Sequence, residues 1–192
     1  MVEPHTDSTS LNWGKIARRI RVPLGFAFAV LYFWLARPTW RSIALGALLI
    51  LPGLLTRALA SGHVRKNEAL ATSGPYAYTR NPLYLGSLLI GVGFAAAARS
   101  WWVGVVLVVM FFAIYLPVIR DEENFLRGKF PEFDEYARRV PRMFPRLSQG
   151  GSAEETPFGF SFELYLKHRE YNALLGALAM LAAVIVKMAK TH

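Results

Sequence analysis

Three short runs hold the residue types from which a binding or catalytic site can be built. The first is Gly74-Pro75-Tyr76 followed by Arg80-Asn81-Pro82-Leu83-Tyr84-Leu85-Gly86. The second is Arg120-Asp121-Glu122-Glu123, and the third is Phe130-Pro131-Glu132-Phe133-Asp134-Glu135-Tyr136, leading into Arg138-Arg139-Val140-Pro141-Arg142. An arginine fork such as that of Arg80 pairs with a carboxylate or orients an oxygen, and Glu122 or Glu123 can take an ammonium or hydroxyl groups. Tyr76 and Tyr84 add hydroxyls and aromatic faces that attract a cation. Thiol chemistry is excluded, because the chain has no Cys. The four His residues, His5, His63, His168 and His192, make no metal-ligand spacing, and no metal is expected.

Each run also has a plainer reading. Arg80 can be a charged anchor at a membrane surface, the acidic triplet a solvated helix end paired with nearby Lys and Arg, and Tyr76, Tyr78 and Tyr84 interfacial aromatics. Pro82 suits the first turn of a helix. If that helix begins as early as Arg80, then Arg80 and Tyr84, four apart, share a face. Three consecutive carboxylates at a membrane boundary repel one another, so a cationic partner is expected near them.

The elements that must carry these runs are membrane helices. Of the 192 residues 54% are hydrophobic and 18% charged, where soluble domains average about 45–50% and about 25%. Apolar stretches free of charge run over 22–36, 42–56, 81–98, 100–119 and 171–186, which makes five candidate spans. The shorter ones fall below the roughly 20 residues that a bilayer asks for. Arg21, Arg37, Arg57 and Lys187 at their ends can snorkel. The expected fold is all-α, a multi-pass transmembrane bundle of about five spans forming one membrane domain. Residues 1–60 hold two spans, 61–147 the motifs and two more, and 148–192 a linker, an interfacial segment and the last span.

The net charge of +9 follows the membrane and not a nucleic acid. With the N-terminus inside, 17 Lys and Arg lie on the inner side and 5 on the outer. Residues 1–21 are too polar and long for a signal n-region, and no small-x-small site follows the first span, which reads as a retained anchor. The outer links are short, with Trp40, Trp101 and Trp102 placed for an interfacial belt. Chemistry is therefore expected in the inner segments, 61–80 and 120–170. The aromatic spacing from Phe125 to Phe144 reads as an amphipathic helix ending in a turn, followed by a Gly/Ser linker at 148–152 and an interfacial aromatic stretch at 158–165. Pro52-Gly53 and Pro117 permit kinks. Gly86, Gly91 and Gly93 lie inside a span and read as small-residue helix packing, not as a nucleotide loop.

Over residues 70–145 the chain resembles the isoprenylcysteine carboxyl methyltransferase and phospholipid methyltransferase group of integral membrane enzymes. That group shows Gly-x-Tyr, then Arg-His-Pro-x-Tyr-x-Gly opening a span, then a hydrophobic helix ending in Glu-Glu, then Phe-Gly-x-x-Tyr-x-x-Tyr and Val-Pro. Gly74 to Tyr76, Arg80 to Gly86, Glu122-Glu123, Phe130 to Tyr136 and Val140-Pro141 repeat this order. Asn81 stands where the group usually has His, and Pro131 where it usually has Gly.

The resemblance implies S-adenosylmethionine as methyl donor, bound on the cytoplasmic side, and a lipid-like or small hydrophobic acceptor entering from the bilayer. Carried over residue by residue, it implies donor contacts from Leu70, Ala71, Tyr76, Arg80, Asn81, Pro82, Tyr84, Glu122 and Glu123. Arg80, Arg120 and Glu123 are then the catalytic candidates, with Arg120 on the acceptor side. An NADPH-dependent reductase of the sterol-reductase kind and a non-catalytic lipid-binding scaffold are the competing readings. The short outer links suit a bacterial inner membrane with the N-terminus and catalytic segments cytoplasmic, although an endoplasmic reticulum protein would look similar.

Overall fold

The computed structural model describes residues 13–65, 68–146 and 159–191, and among them there is helix and no strand. Eight α-helices follow one another: α1 Trp13–Leu35, α2 Trp40–His63, α3 Pro82–Ala98, α4 Trp101–Met110, α5 Leu116–Lys129, α6 Phe133–Arg139, α7 Phe162–Lys167 and α8 Tyr171–Thr191. A 3₁₀ turn, Gly74–Ala77, precedes α3, and a π-helical segment, Phe111–Tyr115, joins α4 to α5. The chain is a multi-pass helical membrane bundle. Three stretches, Trp40–His63, Trp101–Lys129 and Tyr171–Lys190, are long and apolar enough to cross a bilayer, while Pro23–Leu35 and Pro82–Ala98 are shorter apolar helices. Large side chains such as Phe26, Trp34, Leu48, Val109, Phe112 and Leu178 are exposed on these helices, as lipid-facing surfaces require.

Local chemistry sets the helix ends. Thr39 and Ser42 form a reciprocal capping box at the start of α2, with the Ser42 amide donating to Thr39 Oγ1 at 3.2 Å and the Thr39 amide to Ser42 Oγ at 2.9 Å. Ser42 Oγ also donates to the Ala97 carbonyl at 2.9 Å, tying the start of α2 to the end of α3. At the same end the Arg37 amide donates to Ala98 O at 2.9 Å, and Lys187 Nζ reaches the carbonyls of Phe33 and Ala36 at the end of α1. Trp40, Trp101 and Trp102 are exposed there. The opposite end gathers the last turn of α2, the start of α3, α5 to α7 and the start of α8.

Three expectations change. α3 begins at Pro82, so Arg80 precedes the helix and shares no helical face with Tyr84. The fourth span does not end at Ile119: Trp101–Lys129 is helical over 29 residues, about 43 Å, and so outruns the roughly 30 Å hydrocarbon core. The amphipathic stretch from Phe125 to Phe144 is divided between the end of α5 and α6 and is not one helix, because Pro131 disfavours helical backbone at Phe130, which is extended (φ −119°, ψ 109°). The π segment lies directly before Pro117, which brings no N–H to the ladder. The Ser161 amide donates to Gly62 O at 2.9 Å and His168 Nδ1 lies 3.0 Å from Ser61 O, which holds α7 against the end of α2. Residues 148–152 and Phe158 lie outside the described residues, as do His5 and His192.

The glycines do pack α2 on α3. A Cβ at Gly53 would lie 2.8 Å from Gly86 O, and one at Gly93 would lie 2.6 Å from Gly46 O, distances that only hydrogen allows at this backbone approach. Gly53→Ala is therefore expected to destabilise the protein by about 1–3 kcal/mol through overpacking. Gly104→Ala, where a Cβ meets nothing within 4 Å, should be neutral or stabilising by up to about 1 kcal/mol. Thermal unfolding in detergent separates the two, and equal effects would disprove the packing argument.

Candidate active site

The chain enters α3 through a tight turn. Gly74 has φ 57°, and a Cβ there would sit 2.6 Å from the His63 ring, so both backbone and space call for glycine. The turn buries Tyr76 and Ala77, and Tyr136 Oη of α6 donates to Tyr76 O at 2.7 Å. Burial raises both phenols above their ordinary range, and for Tyr76 the carboxylates of Glu122 and Glu170 add to it. Tyr136 is thus a lasting donor. Beyond the turn, the segment after α6 runs beside Tyr78 to Asn81. The Arg80 amide donates to Pro141 O at 2.9 Å, Thr79 Oγ1 to Met143 O at 3.1 Å, and the Arg146 amide to Tyr78 O at 3.1 Å.

Around this junction the acidic run of α5 is divided by helix geometry, since successive residues point about 100° apart. Glu123 turns inward and is only 4% exposed. Its Oε1 accepts from Asn81 Nδ2 at 3.0 Å, and its Oε2 accepts from Arg142 Nε at 2.9 Å, with Arg142 Nη2 2.8 Å away. Arg80 Nε lies 3.4 Å from Oε1, too misaligned for a hydrogen bond, and is buried with no other acceptor. Arg80 is further held by Ala137 O at 3.3 Å and by the Phe133 ring, 6.0 Å from its guanidinium carbon. Asn81 Nδ2 also donates to Arg142 O at 3.0 Å, so the amide joins α3, α5 and the segment after α6. The cationic partner expected for the acidic run is thus a pair of arginines.

Glu122 faces elsewhere. It is half-buried and accepts from Tyr84 Oη at 2.9 Å. The Tyr84 ring meets Tyr115 edge-on at 6.1 Å and lines a cavity of about 320 Å³ between α1, α3, the α4–π rod and α8. Arg57, Ser87 and Asn172 give this cavity its polar end, and Tyr32 and Phe94 lie at its deeper, apolar end. Arg57 pairs through Nε with Glu170, which precedes α8, and donates through Nη1 to Ser87 Oγ and Leu83 O. In the sequence Arg57 reads only as the charged end of a span, and Ser87 and Glu170 carry no motif. The available signal is a pair of opposite charges at the ends of two apolar stretches.

The remaining sequence candidates fall into two groups. Leu70 packs on the Phe133, Tyr136 and Val140 cluster, Ala71 is half-buried in the link before the turn, and Pro82 is buried as the first residue of α3. Arg120 is exposed on α5 and is not brought into the cluster. Among the described residues no group of three His, Cys, Asp or Glu side chains is arranged to hold a metal ion.

A family model for phospholipid methyltransferase matches residues 21–132. The chain belongs to this phospholipid methyltransferase family of integral membrane methyltransferases. The family match covers Arg80 to Gly86 and Glu122-Glu123 but stops before Tyr136 and Arg142, which complete the junction. The chain is 43% identical over 137 residues to the cobalt-zinc-cadmium resistance protein CzcN of Cupriavidus metallidurans, covering 67% of this chain and 62% of that protein. It is also 43% identical over 117 residues to the nickel-cobalt-cadmium resistance protein NccN of Alcaligenes xylosoxydans xylosoxydans, covering 57% of this chain and 54% of that one. The chain thus spans little more than half the length of these relatives. No solved structure matches.

The two neighbouring carboxylates should separate experimentally. Glu123→Gln removes the counter-charge of Arg80 and Arg142 and should cost about 2–4 kcal/mol, below the most buried pairs because Arg142 is partly solvated. Glu122→Gln keeps a hydrogen-bond acceptor for Tyr84 and should unfold within about 1 kcal/mol of the parent protein. Thermal unfolding in detergent tests this, and equal losses would contradict the division.

Proposed function

We propose that the chain is an S-adenosylmethionine-dependent methyltransferase acting on a lipid-like or small hydrophobic acceptor. The observation that carries the reading is the Tyr84–Glu122 contact, in which a phenol that lines an apolar cavity within the membrane bundle donates to a half-buried carboxylate. Arg80 lies on the adjoining segment with a buried Nε that lacks a hydrogen bond. This donor and acceptor set fits the zwitterionic end of the methyl donor. Glu122 would take the ammonium or ribose hydroxyls, and Arg80 the carboxylate. Tyr76, Tyr84, Pro82 and the Leu70-Ala71 backbone would complete the contacts. Asn81, with its amide nitrogen engaged, would contribute its side-chain oxygen.

The bound donor supplies an electrophilic methyl group on a sulfonium. What the chain must do is hold the acceptor in line and exclude water, and correct placement alone is worth roughly 7–11 kcal/mol of the barrier. The apolar walls of the cavity serve both ends. Glu123, with both oxygens taken, acts in this reading as a positioning residue for Arg80 and Asn81. A carboxylate or thiolate acceptor needs no base, whereas an ammonium acceptor would pass a proton to Glu122 or to water. Arg120, exposed on α5, is left as a surface contact for the acceptor's head group.

Family membership supports methyl transfer over NADPH-dependent reduction and over a lipid-binding scaffold. The Lys and Arg distribution supports a cytoplasmic position for the motif-bearing end, in a bacterial inner membrane. The relatives named for metal resistance offer a cellular setting. Methylating a lipid carboxylate would remove negative charge from the leaflet and lower the local concentration of divalent cations. Unchanged cobalt, zinc and cadmium tolerance in cells lacking the protein would disconnect it from that setting.

Calorimetry on the purified protein in detergent should show binding of S-adenosylmethionine and of its demethylated product, and none of NADPH. Glu122→Gln should weaken donor binding roughly 10- to 100-fold, the worth of one charge-assisted hydrogen bond. Absence of donor binding by the parent protein would end the proposal, and unchanged affinity in the variant would end the assignment of Glu122.

A further inference from the structure

The cavity carries a polar feature at each end of its apolar length. At the shallow end three of the five N–H donors of Arg57 serve Glu170, Ser87 and Leu83, which leaves two for a ligand. At the deep end stands Tyr32 of α1, 0% exposed, whose ring meets Phe94 edge-on at 5.8 Å. Its hydroxyl is buried without a hydrogen-bond partner among the described residues. By contrast, Tyr84 and Tyr136 give their hydroxyls to Glu122 and to Tyr76 O. Orphaned buried hydroxyls are costly and rare in folded proteins.

The two ends are marked on α3 by Ser87 and Phe94, seven residues and so about 10 Å apart along the helix. Between α1 and α8 the wall is thin. Gly25 and Gly176 line the cavity, both are exposed, and a Cβ at either would meet nothing within 4 Å. An apolar molecule can therefore reach the cavity sideways from the bilayer.

We propose that this cavity receives an amphiphile with an oxygen function at each end of its apolar section, a head-group oxygen at Arg57 and Ser87 and a hydroxyl, carbonyl or ether oxygen at Tyr32 Oη. The inference rests on the methyltransferase reading only in taking this amphiphile as the methyl acceptor. A plain hydrocarbon chain leaves Tyr32 unpartnered and is rejected relative to its oxygenated counterpart, as sites built to hydrogen-bond a hydroxyl reject analogues that lack it.

The test uses the full chain in detergent with 10-hydroxydecanoate and decanoate at equal loading, and native mass spectrometry to read the fraction of each retained. The parent protein should prefer the hydroxylated probe roughly fivefold to a hundredfold. Tyr32→Phe, which keeps the ring, should bring that ratio to near one with the unfolding temperature unchanged or raised. Gly176→Leu should lower retention of both probes by narrowing the opening. Equal retention by the parent protein, or a preference that survives Tyr32→Phe, would overturn the proposal. Donor binding measured on the same preparation keeps the two readings apart, because its absence removes the methyltransferase reading while leaving the two-ended preference intact.

Discussion

A carboxylate buried at the edge of a low-dielectric bundle must be matched by donors, and Glu123 is matched by three residues from two separate segments. Arg80 and Asn81 come from the entry to α3, and Arg142 from the chain beyond α6. Breaking any of these contacts leaves charge or amide poorly paired at low dielectric, which costs far more than the same loss in water. The entry of α3 and the exit of the fourth span are thereby fixed to one another. Tyr84, a short way into α3, then meets Glu122 on the adjoining face of α5. The requirement at position 81 is an N–H donor toward Glu123, and the Asn81 amide meets it while its second N–H secures Arg142 O.

A second constraint comes from backbone packing. In lipid no hydrophobic force draws helices together, so close approach through small residues takes its place. α2 and α3 use Gly46, Gly53, Gly86 and Gly93 for this. The same approach delivers function, because a Cβ at Gly86 would collide with Arg57 Cγ at 2.5 Å. Removing that Cβ lets the Arg57 side chain pass over α3 to reach Ser87 and the cavity. Packing and the polar end of the cavity are thus one feature of the helix pair.

Much of this was legible in the sequence because it rests on periodicity and order. Charge-free apolar runs mark all five long helical stretches, Pro82 marks the first turn of α3, and the ordered motifs mark the two ends that converge. What escaped depends on direction and distance. Glu122 and Glu123 are equivalent as letters, and only the helical phase of α5 sends one to the arginines and the other to Tyr84. Arg142 lies beyond the acidic run by 19 residues, and its role follows from a break at Pro131 that the aromatic spacing conceals. The Arg57–Glu170 pair spans 113 residues with no motif at either end. Tyr32 sits in an apolar run where a tyrosine is unremarkable until its hydroxyl is found unpartnered.

The depth at which the polar groups lie bears on what the proposed reaction requires. Charged side chains at the centre of a bilayer are expensive, while those near helix ends are tolerated through their long stems. Arg57, Arg80, Glu122 and Glu123 all lie at the motif-bearing end, and the cavity runs from Arg57 toward the Trp-rich end along α3. A bilayer-dwelling acceptor can keep its chain in the apolar part while its polar group reaches this level, where a water-soluble donor can also arrive. Neither partner then has to leave the environment that suits it by more than the length of a head group. The π turn at Phe111–Tyr115 belongs to this division, since it places Phe111 and Tyr115 on the cavity wall where the apolar rod gives way to the acidic end of α5. A regular α-helix would rotate the residues beyond it by roughly one position, and Glu122 would no longer face Tyr84.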